Sequence, residues 1–162
     1  MIGRYAVAAA RIRQELSEIE RLVERVERAI RAGRESTTDR DLFFDSAALN
    51  LHDFYSGLER LFTHVASSVD ASVPTGPDWH RELLRQMATD LPGIRPRVIT
   101  EANAHDIDEY LRFRHVVRHT YAIELDPERI ERLANRLRPV FREVSQSLDA
   151  FATLLEGLAR EA

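Results

Sequence analysis

Apolar residues recur every three or four positions along most of the chain, which is the spacing of amphipathic helices. The clearest stretch begins at Tyr5 and has Arg and Glu between its apolar positions. Gly33 follows it and is predicted to end the helix. One long helix with a narrow buried face is therefore predicted at the start of the chain. Its core positions are Tyr5, Ala9, Ile12, Leu16, Ile19, Val23, Val26 and Ile30.

Two further helices are predicted before residue 90. The polar stretch RESTTDRD precedes the second helix, which Thr38 or Asp39 is expected to cap. A loop rich in Ser, Pro and Gly follows, and Asp78 is expected to cap a short helix, WHRELLRQMA, in which Trp79 fills the core. The buried face of the second helix is predicted to carry Leu51, Phe54, Tyr55, Leu58, Phe62 and Val65.

The second half of the chain predicts two more long helices. One runs from about residue 98 to residue 121, and Asp126 with Pro127 starts the other. Pro139 is expected to kink or break this last helix. Its predicted core positions are Ile130, Leu133, Leu137, Val140, Val144, Leu148, Phe151, Leu155 and Leu158.

Four long helices and a short one, without a run of strand alternation, predict an all-α fold. We expect an antiparallel up-and-down helical bundle forming a single domain over residues 1–162, which is long enough to build a core without metal or disulfide. Apolar residues at 44% and charged residues at 31% exclude wholesale disorder. The absence of cysteine excludes disulfides and thiolate chemistry.

The compartment is predicted from apolar runs and the first residues. No run approaches the roughly 18 residues of a membrane span, and the N-terminal segment is interpreted as helix rather than signal peptide. A cytoplasmic soluble protein without a membrane partner is therefore expected.

One stretch of the chain departs from the mixed charge pattern. RFRHVVRHTY, at positions 112–121, holds three arginines, two histidines and a tyrosine, and no acid occurs between Tyr110 and Glu124. Cations at a helix end can simply complement the helix dipole. They can also form a phosphate site, since arginine binds phosphate oxygens bidentately and histidine exchanges protons near neutral pH. Because the net charge is −4, any such site must be local.

A metal site is the competing interpretation of the two histidines. His115 and His119 are four positions apart on one helical face and could hold a metal with a third ligand. Arg112, Arg114 and Arg118 beside them would repel a cation. Neither a metal nor another cofactor is therefore expected.

Arginine and histidine together suffice to cut RNA without metal, the first stabilising the phosphorane charge and the second moving protons. Arg114 and His119 are five positions apart, or about 140° around an ideal helix. One straight helix would aim both at one phosphate only through the long reach of arginine or a distorted helix terminus. A homodimer that brings two copies of this helix together would pool both pairs in one cleft.

The same residues carry a resemblance to a known family. Arg114, His119 and Tyr121 match the Arg-x4-His-x-Tyr pattern of HepT-like ribonuclease toxins in the HEPN superfamily. LNLHDFYSGLERLF, DWHRELLRQM, IRPRVI and YLRFRHVVRHTYAIELDPER resemble blocks of that group in the same order. The resemblance covers roughly residues 42–135.

The resemblance implies a helical-bundle homodimer with metal-independent endoribonuclease activity. It assigns the scissile phosphate of RNA to Arg114 and proton transfer to His119, with a 2′,3′-cyclic phosphate and a 5′-hydroxyl as product ends. It also implies a small nucleotidyltransferase antitoxin, MNT, that neutralises the toxin by attaching AMP to Tyr121. AMP there would bring negative charge to the place of the RNA phosphate.

Several neighbouring residues have open roles. His115 stands where the family commonly has a small polar residue, and it could share proton transfer, line the RNA path or disturb the site. With Arg118 it is kept as an auxiliary contact to proton or phosphate. Glu59, one turn from Tyr55, could tether a cleft arginine, but a solvated glutamate and a core tyrosine are favoured. Two other functions stay open: a non-catalytic HEPN-like module that binds a nucleotidyltransferase, and a plain scaffold.

Overall fold

The predicted all-α bundle is confirmed by the computed structural model, which describes residues 2–161. Four long helices and one short helix follow each other in the predicted order, and a 3-10 turn, Ala122–Glu124, connects the last two. Within residues 2–161, the β-structure consists of one isolated bridge between Leu91 and Arg95. The helices are α1 (Ile2–Glu35), α2 (Arg40–Ser68), α3 (Trp79–Met87), α4 (Glu101–His119) and α5 (Pro127–Glu161).

The core lies where the apolar periodicity predicts it. α1 packs mainly against α2 and α5, whereas α4 packs against α2, α3 and α5. The predicted faces of α1, α2 and α5 are buried except at their ends, where Tyr5 is partly buried and Leu158 is exposed. Trp79 packs against the core from a partly buried position.

Gly33 has a different role from the predicted helix stop. α1 continues to Glu35, so that prediction is wrong. A Cβ atom at Gly33 would lie 3.1 Å from the Phe44 ring and 3.2 Å from the Phe43 Cβ, tighter than ordinary packing. Gly33 therefore allows α1 and the start of α2 to approach each other closely.

The predicted break at Pro139 is also wrong, because α5 is one helix from Pro127 to Glu161. Pro139 is exposed, so its ring lies on the solvent side of α5. At the start of this helix, the Asp126 carboxylate accepts a hydrogen bond from the Glu128 N–H at 3.0 Å, as expected of a capping residue.

The other helix starts are less regular than predicted. Asp39 and Asp78 occupy the N-cap positions of α2 and α3, but neither side chain makes a capping hydrogen bond. α4 begins later than predicted because Thr100 and Asn103 form a reciprocal capping box. At its other end, Thr120 is extended, so α4 ends at His119.

Within residues 2–161, no helix combines the length and the apolar character needed to cross a membrane.

A buried ion pair fixes the segment between α3 and α4. The Arg95 guanidinium donates to both Asp70 carboxylate oxygens, at 2.5 and 2.7 Å, and the two side chains are only 2% and 1% exposed. Gln86 donates to the same carboxylate at 2.7 Å. This pair ties the end of α2 to the loop that leads into α4.

We expect Asp70→Asn to lower the free energy of unfolding by about 3–5 kcal/mol, because it leaves the buried Arg95 charge without its carboxylate. Urea unfolding of both proteins measures the change. Asp149→Asn is the control: it removes an exposed partner of Arg13 and should cost about 1 kcal/mol or less. Equal losses in the two variants would contradict a stabilising role for the buried pair.

His64 gives the stability a dependence on pH. Burial lowers the pKa of His64, and the nearby Arg11 charge lowers it further. Its Nε2 atom is buried without a hydrogen-bond partner among the described residues. The unfolded chain therefore takes up a proton at about pH 6.5 that the folded chain does not, and stability falls as the pH drops below that value.

We expect His64→Leu to remove part of this loss. The measurement is urea unfolding of wild type and variant at pH 8 and pH 5.5. The wild type should lose more stability over this interval than the variant. Identical losses would show that the pKa of His64 is the same in the folded and unfolded states.

Candidate active site

The basic stretch at positions 112–121 covers the last two turns of α4 and the residues that follow. Arg114, His115 and Arg118 lie within the helix, and His119 is its exposed last residue. Beyond the extended Thr120, Tyr121 precedes the 3-10 turn, and its side chain is 78% exposed. The stretch thus ends in an accessible phenol directly after the helix.

His115 and His119 form a pair on the exposed face of α4. Their ring centroids are 4.4 Å apart with an interplanar angle of 51°. Both residues are exposed, so both rings are open to a ligand. Of the candidate residues, these two are brought into direct contact.

Arg114 takes a different direction, towards α2. Its Nε donates to Ser56 Oγ at 3.2 Å, and its Nη2 lies 3.8 Å from Glu59 Oε1. The guanidinium carbon is 5.6 Å from the centre of the Tyr55 ring, within cation–π range. The side chain is only 13% exposed. α2 therefore holds Arg114 through three residues within about one turn.

Glu59 is the centre of this contact network. Its side chain is 11% exposed, so the expectation of a solvated glutamate is wrong and the tether interpretation fits instead. Glu59 Oε2 accepts a hydrogen bond from the Tyr55 hydroxyl at 2.7 Å and lies 2.5 Å from His80 Nδ1. Burial and the Glu59 carboxylate raise the pKa of Tyr55, so its hydroxyl stays protonated and remains a donor.

The other two arginines of the stretch are exposed. Arg112 pairs with Asp108 at 2.7 Å, one turn earlier in α4. Within residues 2–161, Arg118 makes neither an ion pair nor a hydrogen bond. Arg118 therefore has its full set of donors available to an anion.

No contact among the described residues joins Arg114 to His119, because the first points towards α2 and the second lies at the exposed helix end. Their joint action on one phosphate stays a prediction. So do the auxiliary roles of His115 and Arg118.

Comparison with known families agrees with this architecture. The family model described as HepT-like protein matches residues 46–155. The chain belongs to the HepT-like family. The match extends from α2 into α5 and includes Arg114, His119 and Tyr121, which confirms the resemblance to HepT-like proteins of the HEPN type. Comparisons with curated proteins and with solved structures found no match.

Membership of the HepT-like family suggests a module of the HEPN toxin–antitoxin type. The matched region leaves out α1, although α1 packs against both α2 and α5. α1 thus completes the core of this HepT-like chain from outside the matched region.

Two residues of the network were missed by sequence reasoning. Ser56 accepts a hydrogen bond from Arg114, and His80 contacts Glu59. The contact between Tyr55 and Glu59, by contrast, was indicated by their spacing of four residues in a helix. No comparable signal exists for His80, which lies 21 positions from Glu59 and arrives at the start of another helix.

The metal interpretation of the two histidines lacks a third protein ligand. Within residues 2–161, no group of three or more His, Cys, Asp or Glu side chains is placed to hold a metal ion. His115 and His119 would therefore have to complete a coordination shell with water or substrate.

Proposed function

We propose that this HepT-like protein is the toxin of a two-gene HEPN/MNT toxin–antitoxin system, acting as a metal-independent endoribonuclease. The observation that carries the proposal is the position of its motif. Arg114 is held by α2, while His119 and Tyr121 lie exposed at the end of α4. The resemblance to HepT-like ribonuclease toxins assigns cleavage to Arg114 and His119 and its regulation to Tyr121, which supports the proposal.

Cleavage in this scheme needs only the RNA and two kinds of side chain. His119 accepts the proton of the 2′-hydroxyl as the 2′-oxygen attacks the adjacent phosphorus. Arg114 stabilises the charge that develops on the phosphoryl oxygens. The bond to the 5′-oxygen then breaks, and that oxygen takes a proton from the matching histidine of a second copy. The products carry a 2′,3′-cyclic phosphate and a 5′-hydroxyl.

The directions of the two side chains support a second copy. Arg114 points towards α2, and His119 ends α4 on an exposed face. A second protomer would bring an arginine and a histidine to the same phosphate. We propose a homodimer in which two α4 ends face one cleft. His115 and Arg118 would add contacts to proton and phosphate there.

Regulation is proposed at Tyr121. Its phenol is 78% exposed, so an enzyme can reach it. Transfer of AMP from ATP to the Tyr121 hydroxyl by an MNT-type nucleotidyltransferase, with release of pyrophosphate, would place a phosphate two positions after His119. That phosphate would repel RNA and could occupy the place of its scissile group.

His119→Ala tests the cleavage scheme. We expect cleavage of RNA to fall at least about 100-fold, because general acid–base catalysis is lost. The measurement is the cleavage rate of a labelled RNA, with light scattering to show an unchanged dimer. His105→Ala is a matched control on α4, exposed and outside the proposed site, and should cleave like wild type.

The same assay separates the metal-free scheme from a metal site. Cleavage by wild type should persist in EDTA. Loss of activity in EDTA would instead support a metal held at His115 and His119. Wild-type rates in His119→Ala would overturn the catalytic assignment itself.

Tyr121→Phe tests the proposed regulation. Incubation of the wild type with the nucleotidyltransferase, ATP and Mg²⁺ should add one AMP and stop cleavage, whereas Tyr121→Phe should stay unmodified and active. Intact-mass spectrometry and the RNA assay measure both. An equal AMP yield on the Phe variant would place the modification elsewhere.

A second candidate function is favoured by the net charge of −4, which suits protein binding at least as well as RNA binding. It is a non-catalytic HEPN-like module that partners a nucleotidyltransferase. AMP on Tyr121 without ribonuclease activity in the unmodified protein would favour it.

A further inference from the structure

We infer that Glu59 is a positioning residue for Arg114, and that Tyr55 and His80 keep the Glu59 carboxylate in place. The inference rests on the proposed function, in which Arg114 contacts the scissile phosphate. Glu59, Tyr55 and His80 lie outside the Arg-x4-His-x-Tyr motif. They would act on the reaction only through the guanidinium.

The donors of Arg114 show what is left for a substrate. A guanidinium has five N–H donors in a fixed plane. Nε is used by Ser56, and Nη2 faces Glu59. Within residues 2–161, Nη1 makes no hydrogen bond. The structure thus leaves one edge of the fork for a phosphate and holds the opposite edge.

Because the Glu59 carboxylate is buried, both of its oxygens need donors. An unpaired carboxylate with 11% exposure would be costly, so Glu59 needs donors. Its Oε2 receives the Tyr55 hydroxyl and His80 Nδ1, and its Oε1 is left for Arg114. Each partner therefore restricts the direction in which the carboxylate points.

Three helices contribute to this position. Tyr55, Ser56 and Glu59 come from α2, His80 from the start of α3, and Arg114 from α4. The His80 ring also stacks on Trp79, with centroids 3.8 Å apart, and Trp79 packs against the core. The guanidinium is consequently fixed relative to the whole bundle.

The exposed arginines of the same stretch are held less firmly than Arg114. Arg112 has only an exposed i,i+4 pair, and Arg118 has no ion pair in the described chain. Such side chains must lose rotamer freedom when they meet a phosphate. Arg114 has already lost it. Preorganisation of this kind accelerates the chemical step, and a misplacement of about 1 Å can cost about 100-fold.

Glu59→Gln is the central experiment, because glutamine keeps the size but removes the charge facing Arg114. We expect kcat for RNA cleavage to fall about 10- to 100-fold with KM nearly unchanged. In an Arg114→Ala background, the same change should have no further effect. Wild-type kcat in Glu59→Gln, or an undiminished effect in that background, would overturn the inference.

Two buried tyrosines offer a matched comparison, because a change to Phe keeps the ring that packs in the core. The Tyr55 hydroxyl donates to Glu59, whereas the Tyr110 hydroxyl donates to the Leu133 carbonyl at 2.9 Å, away from this network. We expect Tyr55→Phe to lower kcat and Tyr110→Phe to leave it unchanged, with similar losses in melting temperature. Equal kcat values in the two variants would reduce the network to a packing role.

His80 separates positioning from proton transfer. His80→Asn keeps an N–H donor near the Nδ1 position, and His80→Leu removes it. We expect the Asn variant to retain more activity than the Leu variant. If both lose activity equally, His80 does not act as the donor that holds Glu59.

A measurement without RNA keeps the inference independent of the proposed function. In arginine-labelled protein, NMR follows hydrogen exchange of the Arg114 Nη–H groups, which face Glu59, with Nε–H as the reference for the Ser56 bond, all assigned with Arg114→Lys. Exchange should be slow in wild type and faster in Glu59→Gln. Unchanged exchange would overturn the positioning role even if the protein cuts RNA. Failure of wild type to cut RNA would overturn the proposed function alone.

Discussion

The central constraint on this molecule is the position of α2, which contacts every other helix of the bundle. A helix surrounded in this way has few positions that can face water. Even polar residues of α2 are therefore buried, and Asn50 and Glu59 are the two it buries most completely. Buried polar groups require partners. Two of the partners of Glu59, His80 and Arg114, link α2 to α3 and to the basic end of α4.

This constraint also explains which parts of the fold were predictable from sequence. The apolar periodicity of α1, α2 and α5 located the core, because each helix buries one regular face. The predicted stop at Gly33 and the predicted break at Pro139 are wrong: Gly33 lies inside α1 against Phe44, and Pro139 has an exposed position in the unbroken α5. Local signals describe what a residue prefers, whereas the packing of helices decides what it does.

The candidate site divides in the same way. Arg114, His119 and Tyr121 could be selected because they lie close together in the sequence, at and just after the end of one helix, and match a family pattern. The surroundings of Arg114 could not be derived, because His80 is brought to Glu59 by the fold rather than by spacing. The burial of Glu59 was missed for a related reason: its position on α2 was clear, but the number of helices around α2 was not.

The close approach of α1 and α2 at Gly33 also affects the residues further along α2. Phe44 lies twelve residues before Ser56, so about 18 Å of rigid α2 separates the glycine from the residues that hold Arg114. A Cβ atom at residue 33 would require Phe44 and Phe43 to shift by a few tenths of an ångström. Because a helix moves as a rod, a small tilt at one end becomes a displacement at the other. The missing Cβ atom thus contributes to the position of α2, the helix that carries Ser56 and Glu59, which contact Arg114.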